Sequence, residues 1–83
     1  SAYTRAYRIR LRESLEEDFP ETLAVIDDPT FVDRYISEYP SAFWTVGEMA
    51  IFFPEFVRRV YPHDENLSFL ASLEWARWVA SSA

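Results

Sequence analysis

Five prolines, at positions 20, 29, 40, 54 and 62, divide this chain of 83 residues into pieces no longer than single helices. Proline fixes its own φ, lacks a backbone donor and pushes the preceding residue out of the helical region. It is tolerated in a first helical turn, where the N–H has no intrahelical partner in any case. Between these punctuation marks the apolar residues fall at helical spacing. Tyr3, Tyr7, Leu11 and Leu15 recur every fourth residue and predict a helix over 2–18. Phe19-Pro20 ends it. Pro20 then suits the first position of a short helix carrying Leu23 and Ile26 and reaching Val25 or Asp27. The stretch "DDPTFVDRYISEYP" opens with Asp28 as N-cap and Pro29 at the first helical position, buries Phe31, Val32, Tyr35, Ile36 and Tyr39, and stops at Pro40.

After the link "SAFW", Thr45 and Glu48 fit a capping box. Met49, Phe52, Phe53, Phe56, Val57 and Val60 follow as one continuous stripe, and Pro54 within it predicts a kinked helix. Pro62 ends that segment, and Asp64 is placed to cap a last helix over 65–81. The expectation is an all-α fold: a single compact helical domain over residues 1–83, with four longer helices and one short one. So short a chain has little interior, and its 18% aromatic content is the means of filling it.

The last helix poses a problem. Leu67, Leu70, Ala71, Glu74 and Trp78 share one face of "LSFLASLEWARWVA", while Phe69, Leu73, Ala76 and Ala80 lie nearly opposite. A helix apolar on both sides needs cover on both sides. Glu74 then sits in a packed seam and must find an arginine or backbone donors. The first helix offers Arg5, Arg8 and Arg12, and a Glu74–Arg8 pair is the leading expectation.

Charge narrows the function classes. The net charge is −6, from fourteen acids against eight bases, all of them arginine. That balance disfavours binding to a phosphate backbone. The arginines Arg5, Arg8, Arg10 and Arg12 precede Glu13, Glu16, Glu17 and Asp18 on one helix, so its charges oppose the helix dipole. Tertiary ion pairs or a partner surface must account for that order. Arg5, Arg8, Arg10 and Arg12 are also the candidate contacts under an alternative reading as a DNA-binding regulator. The absence of cysteine excludes disulfides and thiolate metal sites and is compatible with a cytoplasmic setting. No uncharged run is long enough to span a bilayer, so no membrane association is expected.

Chemistry is sparse. His63 is the only histidine and lies in the polar turn "YPHDE". The carboxylate pairs Glu16/Glu17, Asp27/Asp28 and Asp64/Glu65 are sequence neighbours that point apart. No P-loop, Ser/His/Asp set or metal-ligand spacing is present. Neither catalytic residues nor a metal or other cofactor are expected, and the chain reads as a non-enzyme. Tyr39, Pro40, Phe43 and Trp44 concentrate aromatic surface at a helix junction and are the candidate partner-binding residues.

Four blocks, "YRIRLRESLEEDFPET", "FVDRYISEYPS", "GEMAIFFPEFV" and "LSFLASLEWARWVA", carry the spacings L-x3-L-x3-FP, F-x3-Y-x3-YPS, G-x5-FPEF and LA-x-LEWA over nearly the whole chain. In their order they resemble the N-terminal helical domain of the HvfC/BufC family, long described as putative DNA-binding domain proteins and similar to the partner subunit of methanobactin biosynthesis. The resemblance implies a non-catalytic recognition subunit in RiPP biosynthesis. It would work beside a multinuclear iron-dependent enzyme that modifies cysteines of a short ribosomally made peptide. Enzyme and substrate peptide would be its partners, and the metal would belong to the enzyme. Members of that family usually continue into a C-terminal domain, which this sequence does not contain.

Overall fold

A computed structural model describes residues 2–39 and 50–82, with side chains described over 5–39 and 50–81. The described residues form five helices and no strand: α1 (Ala2–Asp18), α2 (Pro20–Ile26), α3 (Phe31–Glu38), α4 (Phe53–Val60) and α5 (Glu65–Ser82). The all-α expectation holds. The Thr45–Glu48 capping box and the link from Ser41 to Trp44 lie outside the described residues.

α1 buries the face its periodicity announces, with Leu11 and Leu15 in the core and Tyr7 packed at its edge. α2 begins at Pro20, as expected, and ends at Asp27, which adopts the left-handed conformation at φ 49° and returns its N–H to the Leu23 carbonyl over 3.0 Å. Aspartate reaches that region more readily than most non-glycine residues, so it serves as the helix stop here.

α3 starts two residues later than Pro29 suggests. The Asp28 carboxylate accepts from the Thr30 N–H at 2.9 Å and the Thr30 hydroxyl at 2.8 Å, and this local turn occupies Pro29 and Thr30 before the helix opens at Phe31. The turn holds the Asp28 carboxyl below the usual range, chiefly through the Thr30 backbone N–H. Asp64 does what its position promises. It accepts from the Leu67 N–H at 2.9 Å and caps α5.

The fourth helix departs from expectation. Pro54 lies in the first turn of α4, so it starts the helix instead of kinking it. Phe52 therefore falls before the helix and is 43% exposed, not part of a buried stripe. The element repeats the Phe19-Pro20 arrangement at Phe53-Pro54. Both phenylalanines are fully buried, and their rings meet with centroids 4.6 Å apart. Each Phe-Pro start thus delivers an aromatic ring to the same place.

Around that pair Phe31, Tyr35 and Phe56 form an aromatic cluster at the centre of the core. Phe53 also meets Phe31 at 5.8 Å and Tyr35 at 5.1 Å, and Phe56 meets Phe31 at 5.0 Å and Tyr35 at 5.2 Å. Val57, Val32, Ile36, Leu67 and Ala71 close the remaining gaps. Tilted and edge-on rings each add about 0.5–1.5 kcal/mol beyond area burial. Phe53→Ala is therefore expected to cost about 3–5 kcal/mol, read as a lowered urea midpoint by far-ultraviolet circular dichroism.

Candidate functional site

Glu74 is 3% exposed, so the sequence places it correctly inside a seam, but its partner is not an arginine. Its carboxylate faces the start of α2. One oxygen accepts from the Glu21 N–H at 3.0 Å; the other accepts from the Thr22 N–H at 2.8 Å and the Thr22 hydroxyl at 2.5 Å. The accounting of first-turn donors is complete. Phe19, the N-cap residue, offers no capping side chain, Pro20 has no N–H, and Glu74 takes the N–H groups of Glu21 and Thr22. A carboxylate at a helix N-terminus is also favoured by the macrodipole. Glu74 is a cap supplied from more than fifty residues away.

Arg8 instead donates to the Ser37 hydroxyl at 3.3 Å, and Arg12 pairs with Asp33 at 2.6 Å. Both look toward α3 while Glu74 looks toward α2. The expected Glu74–Arg8 pair is thus replaced by backbone donors, which the α2 start already had to place somewhere. Among the described residues Arg5 and Arg10 are exposed and form no ion pair, so the candidate nucleic-acid arginines are split between intramolecular contacts and open solvent.

The acidic end of α1 forms one wall of a shallow cleft of about 290 Å³, shared with Pro20, Glu74, Arg77, Trp78 and Ser81. Burial, with the Glu17 charge adding to it, pushes the Asp18 carboxyl above its usual range. A raised folded value means that this group supports the fold below the unfolded value and that its contribution is lost as pH rises through the folded one. Ionising Asp18 therefore costs more in the fold than in the unfolded chain.

The aromatic junction is the other feature. Tyr39 is half-buried, and the Phe52 ring stacks on it at 6.2 Å with the planes 10° apart. Arg59 lies over the Tyr39 ring at 5.4 Å, donates to its hydroxyl at 3.0 Å, and pairs with Glu38 at 2.7 Å. Arg34 reaches the same Glu38 at 3.5 Å. Ile51, 48% exposed, adjoins Phe52 in sequence. Of the sequence candidates, Tyr39 belongs to this surface; Pro40, Phe43 and Trp44 lie outside the described residues. Sequence reading missed Phe52, Ile51 and Arg59. The signal for Phe52 was available, because reading Pro54 as Pro20 was read would have put Phe52 outside the helix.

Burial, followed by the Tyr39 charge, raises the Tyr35 phenol far above its usual range, so it stays protonated at physiological pH. His63 is exposed in the turn between α4 and α5, where residues 60–66 line an open hollow. Among the described residues no three His, Cys, Asp or Glu side chains are grouped to hold a metal ion, and no helix is long and apolar enough to cross a membrane.

Glu74→Gln keeps one acceptor and turns an amide donor toward a backbone donor. It is expected to cost about 1–3 kcal/mol, whereas Arg8→Ala should leave the urea midpoint nearly unchanged. Equal effects of the two substitutions would restore the arginine pairing. Asp18→Asn is expected to raise the midpoint at pH 7, with the gain vanishing below about pH 4; a lowered midpoint at pH 7 would contradict the sign.

No family model, curated protein or solved structure gives a significant match to this chain. The resemblance to the HvfC/BufC family therefore stands on the four sequence blocks.

Proposed function

We propose that this domain is a non-catalytic recognition module, docking a protein or peptide partner through the surface formed by Tyr39, Phe52 and Arg59. The observation that carries the reading is the exposed Phe52 ring stacked on half-buried Tyr39, with the Arg59 guanidinium over the tyrosine. Tyrosine and arginine dominate binding hot spots, because a rigid ring and a planar cation offer much contact area for little ordering entropy. Glu38 fixes Arg59 on one side and Tyr39 holds it on the other, so the group is set before any partner arrives. The segment Pro40, Phe43 and Trp44 follows Tyr39 directly and extends the same aromatic composition.

Taken with the resemblance, the partner class is a multinuclear iron enzyme together with its cysteine-containing peptide. The bond-making chemistry and the iron would reside in that enzyme. The alternative, a DNA-binding regulator, needs a concentrated basic face, and the engagement of Arg8 and Arg12 with α3 works against one.

Co-expression with a multinuclear iron enzyme and its cysteine-containing peptide should give a complex that co-purifies. Phe52→Ala and Arg59→Ala are each expected to weaken it by about tenfold or more without lowering the melting temperature by more than a few degrees. A complex indifferent to both substitutions would remove this surface from the account. Duplex DNA binding in low salt that falls steeply as salt is raised would favour the regulator instead.

A further inference from the structure

A separate face of the molecule is unpartnered. Along α5, Phe69, Leu73, Ala76 and Ala80 recur at steps of four, three and four residues, the spacing of a two-helix seam. Phe69 is 70% exposed, Leu73 38% and the flanking Val79 44%, and both alanines are exposed. The opposite side of the helix, with Leu67, Ala71 and Glu74, is packed on the rest of the domain. We infer that this seam pairs with the same seam of a second copy of this chain, the two α5 helices running antiparallel about a two-fold axis between Glu74 and Trp75.

Two properties of the face select that occupant. The first is shape. The seam is bulky at one end, Phe69 and Leu73, and small at the other, Ala76 and Ala80. Only an antiparallel copy brings large against small throughout, with Phe69 over the second copy's Ala80 and Leu73 over its Ala76, each contact made twice by symmetry. A parallel copy would set Phe69 on Phe69 and leave a gap between facing alanines. The second is charge. The chain carries −6, yet after Glu65 the only charged residues of α5 are buried Glu74 and Arg77. Between Phe69 and Ala80 the seam itself therefore carries no carboxylate, although exposed Glu65 precedes it by one turn and Glu21 lies 4.0 Å from Arg77 at its flank. A helix pair about 27 Å long makes a small interface, so the dimer belongs in the micromolar range.

This dimer uses a face different from the Tyr39–Phe52–Arg59 surface, so the two readings fail separately. Sedimentation equilibrium of the full 83-residue chain between about 1 and 200 μM should show a monomer–dimer equilibrium. Phe69→Glu is expected to weaken it at least about tenfold with an unchanged circular dichroism spectrum, since Phe69 contributes little to the interior. The chain has no cysteine, so introduced thiols report the register cleanly. Phe69→Cys mixed with Ala80→Cys should cross-link on mild oxidation. Phe69→Cys alone should not, because the two thiols would lie about 16 Å apart along the helix axis. A monomer over the whole range, a dimer untouched by Phe69→Glu, or efficient cross-linking of Phe69→Cys with itself would each overturn the inference.

Discussion

The Glu74 carboxylate fixes where α2 starts, and much of the fold follows from that point. α2 has only seven residues and cannot stand on its own propensity. Its N-cap residue is a phenylalanine committed to the core, so the N-cap side chain accepts nothing from its first-turn donors. Glu74 supplies the missing acceptor from α5 and in doing so locks together two helices far apart in sequence. With that end pinned, the Phe19 ring is held against Phe53, and the two Phe-Pro helix starts converge on one aromatic core. The glutamate just before Trp75 belongs there because the first-turn N–H groups of Glu21 and Thr22 need an acceptor and the N-cap residue, Phe19, offers none.

The reversed charge order on α1 has two different explanations at its two ends. Toward the middle of the helix, Arg8 and Arg12 reach across to Ser37 and Asp33 of α3. At the C-terminal end, Glu13, Glu16, Glu17 and Asp18 form no ion pair among the described residues, and Asp18 is partly desolvated beside Glu17. Exposed carboxylates at a helix C-terminus lower stability only modestly.

Much of this was legible in the sequence because helices write their boundaries in local chemistry. Pro20, Pro62 and Asp64 mark ends that the structure keeps, and the four-residue spacing of Tyr7, Leu11 and Leu15 gives the buried side of α1 directly. What failed to read were choices between two local options that only tertiary structure decides. Pro54 fits either a kink or a first turn, and the need to bring Phe53 onto Phe19 selects the first turn. Glu74 demanded a buried partner, but charge alone named an arginine where the donors proved to be backbone N–H groups. The seam on α5 was visible as an apolar second face. That it remains open, while Glu74 takes the packed side, required the three-dimensional arrangement.

Amide hydrogen exchange of Glu21 and Thr22 tests the central claim most directly. First-turn amides of an isolated short helix exchange almost as freely as those of an unfolded chain. Here both should be slowed to the level of the α5 core amides, because each donates to a buried carboxylate. Rapid exchange at both positions, with α5 still protected, would mean that Glu74 does not hold α2 and that the architecture rests on something else.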